Sequence, residues 1–181
     1  MPDEGGLGAR RTGHDGSMWV ALHDWMLADN EPPLPSVGSM LGSVGVRLTG
    51  TVAAAAPSAA DAIVEIAATN DPAPWLVEYV VTGTTSEPRD LEVDVHGHRR
   101  RSAAEFVLSV NDHRFQVRFD GSAHDIAPNS RVVVHGKLSV VGGYEWDAFQ
   151  VTESRADWRV GDVVILDAGG AMIDLDRGCE R

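Results

Sequence analysis

One cysteine, Cys179, and one lysine, Lys137, stand in a chain of 181 residues. A lone thiol excludes an intramolecular disulfide framework and any zinc site built from several thiolates. The other fourteen basic residues are arginines, and Ala, Val, Gly and Asp abound. That is the coding bias of a GC-rich genome, so arginine in place of lysine is no evidence of bidentate recognition. Positive charge is scarce: 15 basic residues face 27 acidic ones, a formal charge of -12. A broadly basic coat for duplex DNA is thereby excluded, because phosphate contacts need a cationic footprint. No stretch approaches the roughly 20 apolar residues of a membrane-spanning helix. The longest weakly polar run, from Val52 to Ala60, is broken by Pro57 and Ser58. The first seventeen residues are polar and glycine-rich, without the apolar core of a secretory signal, so the expectation is a cytoplasmic protein with no membrane partner. Neither a G-x-S-x-G elbow nor a glycine-rich phosphate loop occurs, and Cys179 lies two residues from the end. The expectation is therefore a protein that is not an enzyme and needs no cofactor.

What is present is a patterned, mainly β chain, with 43% hydrophobic residues and 23% charged ones. Residues 1–17 read as a disordered tail. Residues 18–43 read as an N-terminal extension holding Trp19, Trp25 and Met26, interrupted by the prolines at 32, 33 and 35. A β-domain follows over 44–166, with an insertion at 53–104, and 167–181 reads as an acidic tail. Within the insertion, Asp61 to Ala68 can form a short helix. Strand patterns then dominate: Leu91, Val93 and Val95 alternate, as do Phe115, Val117 and Phe119. Asn111-Asp112-His113 connects one expected hairpin and Gly142-Gly143 another.

The segment from about Val44 to Val151 resembles the OB-fold, a small barrel that binds oligonucleotides or oligosaccharides. The resemblance rests on Val46-x-Leu48-x-Gly50-x-Val52, on the hairpin Phe106-Val-Leu-Ser-Val with Phe115-x-Val117-x-Phe119, and on Arg131-Val-Val-Val-His-Gly136-Lys-Leu138. It implies an OB-like barrel carrying an inserted Ala/Pro-rich segment with strands of its own, in which Gly136 permits a sharp bend at a corner. The front segment, Trp19-Val20, Asp24-Trp25-Met26 and Pro35-x-Val37-Gly38, is similar to the start of an uncharacterised actinobacterial domain family. The cysteine pair of that family is absent here, so no thiol-dependent role carries over.

If Phe115, Val117 and Phe119 point inward, Arg114, Gln116 and Arg118 point outward. The same logic turns His135 and Lys137 outward in the next strand. Acidic and basic residues nearly balance from Arg89 to Lys137, where eight Lys/Arg meet seven Asp/Glu. With Trp146 just beyond the diglycine, these residues make a candidate ligand face for single-stranded nucleic acid, which needs cations interleaved with aromatic rings. Alternation alone also puts polar residues outside on any half-buried sheet. The second reading is a protein-interaction module, with Trp19, Trp25 and Met26 as its surface. A metal-dependent enzyme is a third: Asp94, His96 and His98 share a face if the segment is one extended strand. The glycine at 97 and the arginines at 99–101 point instead to a solvated turn.

Overall fold

The computed structural model describes residues 16–30, 32–67, 73, 75–142 and 154–177, and several of its strands bury every second side chain. Ten strands lie among the described residues: β1 (Met18–Leu22), β2 (Met40–Ala54), β3 (Ala62–Ala67), β4 (Val77–Thr85), β5 (Arg89–Val95), β6 (His98–Val110), β7 (His113–Phe119), β8 (Arg131–Val141), β9 (Arg155–Ile165) and β10 (Ala171–Asp176). A six-residue helix, α1 (Asp24–Asp29), follows β1, and a single 3-10 turn at Ala123–Asp125 precedes β8. The chain is mainly β, as its strand patterns and turn signals predict. Among the described residues no helix is long and apolar enough to cross a membrane.

All ten strands join one sheet, and its pairings close two rings that share β2 and β8. The first ring runs β2–β7–β6–β4–β8 and back to β2, with only the β2–β7 contact parallel. The second runs β2–β9–β10–β1–β8, where β1 meets β8 in parallel through Ala21 and Ser139. Fifteen residues make β2 long enough to serve both rings. Its Met40–Gly45 half pairs with β9, and Arg47–Thr49 pairs with β7.

Core-facing pairs line the shared wall: Val46 opposite Val140, Leu48 opposite Leu138 and Val52 opposite Val134. Among them sits Gly50 opposite Gly136. A Cβ on Gly50 would lie 2.0 Å from the His135 carbonyl oxygen, and one on Gly136 would lie 2.1 Å from that of Thr49. The two backbones approach too closely for any side chain there, which accounts for the glycine in the Arg131–Leu138 pattern. Both ring interiors belong to one apolar core, from Val81, Leu108 and Phe115 to Val20, Trp158 and Ile173.

Several expectations change. The expected helix near Asp61 is strand β3, because Ile63, Val64 and Ile66 gain a complete antiparallel ladder along β4. Ladder pairing outweighs the weak helical preference of the alanines. Residues 171–176, expected within an acidic tail, form β10, whose Ala171, Ile173 and Leu175 are buried. Residues 18–22, expected in an extension, form β1, and Met18, Val20 and Leu22 enter the common core. β4, expected within an insertion, is a wall of the first ring. The far side of the Gly142-Gly143 hairpin, with Tyr144 and Trp146, lies outside the described residues.

Candidate functional site

The expected ligand residues of β7 and β8 fall on one outer face of the sheet, through a register that the sequence does not reveal. On β8, Lys137 is opposite Thr49 of β2, and Thr49 is in turn beside Arg118 of β7. Arg118 is opposite Glu105 of β6, and Glu105 opposite Arg89 of β5. One row of outward side chains therefore crosses five strands. A second row runs Ser139–Arg47–Gln116–Val107. Arg114 is exposed on the same parity of β7, and His135 sits opposite Thr51.

The two ends of this face differ. At the β6–β7 end the polar groups are buried around the Glu105 carboxylate, which is fully shielded from solvent. Arg89 Nε donates to Glu105 Oε1 at 2.8 Å, Gln116 Nε2 donates to Oε2 at 2.8 Å, and Arg118 Nη2 lies 3.8 Å from Oε2. Arg47 Nε donates to Gln116 Oε1 at 3.0 Å. Gln116, expected to be a ligand contact, is buried to 1% exposure and spends both its donor and its acceptor on this cluster. A buried carboxylate needs such partners, since an unpaired buried charge is costly.

At the β4–β8 end the face opens. Lys137 and His135 are exposed, and His135 Nε2 lies 2.8 Å from Glu78 Oε2. Beside them a cleft of about 500 Å3 is lined by Trp19, Ile66, Trp75, Leu76, Met172 and Lys137. Trp19 and Trp75 meet edge to face, with centroids 6.2 Å apart. The Trp19 backbone N–H donates to the Tyr79 hydroxyl at 2.7 Å, which fixes the start of β1 over β4. Burial, reinforced by Glu65, holds the Tyr79 phenol well above its ordinary value, so it stays a neutral acceptor. Ile66 and Leu76 are more than two-fifths exposed at the rim.

The remaining expected site residues are not brought together. Met26 is fully buried in the core, because it sits on the inner side of α1; it is no surface residue. Trp25 is 39% exposed and packs over Gly142, where a Cβ would lie 2.7 Å from the indole. Trp146 lies outside the described residues. His96 and Gly97 both have positive φ and form the two-residue turn between β5 and β6, with Val95 opposite His98. Asp94 and His98 therefore lie on the two strands of a hairpin and not along one extended segment. Among the described residues no cluster of three potential ligands could hold a metal ion.

Sequence reading missed Glu105, Arg47 and the Trp19–Trp75 contact. The signal for Glu105 was a single acid within the run Ala103 to Leu108, which is otherwise apolar, on a strand whose neighbours carry Arg89 and Arg118. No protein-family model, curated protein or solved structure matches this chain.

Proposed function

We propose that this protein is a non-enzymatic binding module that takes an apolar side chain of a protein partner into the Trp19–Trp75 cleft. The observation that carries this reading is the cleft itself: two indoles and Met172 form its walls, with exposed Ile66 and Leu76 at its mouth. Apolar pockets with few polar groups are the usual form of a recognition site, and exposed aliphatics around one mark an interaction surface. Lys137 and Glu78 at the edge supply one charge of each sign, enough to orient a partner's backbone or polar rim.

A second reading, single-stranded nucleic acid, is favoured by the row that puts Lys137, Thr49 and Arg118 on one face beside indole rings. The OB-like resemblance belongs with it, supported by a five-stranded ring. Against it, Arg118 and Arg89 lie against Glu105, which leaves little of that row to meet phosphate.

The two readings separate in one experiment. N-acetyl-phenylalaninamide and a fluorescent oligothymidine are titrated against the protein at low and high salt. The protein-partner reading expects the amide to shift the indole N–H resonances of Trp19 and Trp75, with little salt dependence, and expects Trp75→Ala to abolish the shift. Oligothymidine binding that weakens steeply with salt and is lost in Lys137→Ala would install the second reading instead.

A further inference from the structure

We propose that the groove beside the second half of β2 receives an extended, largely uncharged segment of a partner protein as an added strand. After Thr49 pairs with Arg118, β7 turns away through Phe119 to Gly121, while β2 runs on to Ala54. A cavity of about 1410 Å3 opens in the gap, larger than the roughly 300–1,000 Å3 of small-molecule pockets. Every residue from Thr49 to Ala55 lines it. A strand that offers its face presents every second residue; one that offers all of them presents its edge.

The hydrogen-bond parity shows which groups that edge offers. Ala55 N–H donates to the Arg131 carbonyl at 2.9 Å, so position 55 faces β8, as do 53 and 51 by the two-residue period of the ladder. Val52 and Ala54 therefore turn their N–H and C=O groups toward the groove, beyond the last β2–β7 pair. Such an edge is a template for another strand. The side chains here, Thr51, Ala53 and Ala54 with Gly50, are small enough for a second backbone to come close.

Charge selects the segment. Of the four charged side chains on the walls, Arg131 is held by Asp61 at 2.5 Å, Arg118 lies against Glu105, Asp125 accepts from the Ser122 N–H at 3.0 Å, and Asp120 is exposed to solvent. Hydrogen bonds from the Asn111 N–H and Arg131 keep Asp61 below its ordinary value and therefore ionised against that guanidinium. With three of these charges engaged and Asp120 in water, the groove favours side chains that are apolar at alternate positions, toward Leu91, Phe119 and Ile126, and mostly uncharged at the rest.

The test is a selection of random peptides displayed on phage against the full chain, followed by amide hydrogen exchange with the synthetic peptide recovered. Recovered sequences are expected to alternate apolar and polar residues. Bound peptide should slow exchange at the Val52 and Ala54 amides by about ten-fold or more, while Thr51 and Ala53 are already slow without it. Ala54→Pro removes a groove-facing N–H and should abolish binding with the melting temperature little changed. Ala53→Pro removes a ladder donor and should destabilise the fold. Trp75→Ala should leave this binding intact, which separates the groove from the proposed cleft. The proposal is overturned if no peptide is enriched over blank support, or if the peptide binds Ala54→Pro as well as the parent. Slow Val52 and Ala54 amides in peptide-free protein, with a doubled mass, would overturn it too, by giving the edge to a second copy of this chain.

Discussion

The two rings share the walls β2 and β8 yet close in different ways. In the first, β4 meets β6 through two consecutive ladder pairs, Thr84 with Ser109 and Thr85 with Leu108. Gly83 allows that approach, since a Cβ there would lie 2.4 Å from the Ser109 carbonyl oxygen. Thr85 then ties the loop before β8, donating to the Ala127 carbonyl at 3.0 Å and accepting from the Ser130 N–H at 3.1 Å. The second ring closes through the single pair Ala21–Ser139, and its interior is held by Trp158, whose indole N–H donates to the Val44 carbonyl at 3.2 Å. One ring is closed by backbone and the other mainly by a large side chain. Different kinds of substitution should therefore break them.

The largest effect is expected from Trp158→Ala, which empties the second ring and orphans the Val44 carbonyl. A loss of about 3–5 kcal/mol is expected by chemical denaturation. Because the two interiors form one core, hydrogen exchange should quicken in β6 and β7 as well as in β9 and β10. Quickening confined to β9 and β10 would show that the rings are separate cooperative units. Gly83→Ala attacks the other closure and should cost about 1–3 kcal/mol by overpacking. An unchanged denaturation midpoint would mean that β4 and β6 can part without loss.

The smallest effect concerns His113, whose ring stacks on Phe115 of the first ring and lies 5.9 Å from Trp158 of the second. Both its nitrogens are shielded and lack hydrogen-bond partners among the described residues. Burial, with Arg177 nearby, lowers its proton affinity in the folded chain. The unfolded chain takes up that proton first, so stability should fall as pH drops below about 6.5 and level off once folded His113 protonates. His113→Phe should remove this part of the pH dependence. A slope unaltered by that substitution would place its origin elsewhere.

Local pattern made much of the first ring legible. Alternation in Phe115–Phe119 and in Arg131–Leu138 marks their inner faces, and Asn111, at φ 49, makes the β6–β7 turn. The second ring was much less so. β1 and β10 pair from Met18 with Leu175 to Leu22 with Ala171, and no local signal announces a partner that far along the chain. The alternation of Ala171, Ile173 and Leu175 was present but masked by the acids between them. The candidate face was half legible. Parity puts Gln116, Arg118, His135 and Lys137 outside, whereas burial of Gln116 depends on Glu105 from a neighbouring strand. Trp75 meets Trp19 only because β4 is tied to β1 through Tyr79.

The pairing of β1 with β10 also sets an order of assembly during synthesis. β2, β4, β6, β7 and β8 emerge in sequence and contain every contact of the first ring, so that ring can close while later residues are still being added. β1 leaves the ribosome before them but has its main ladder in β10, which is made after all of them. An apolar strand that precedes the first ring is thus shielded chiefly by one that follows it, so the second ring waits on its most distant pair.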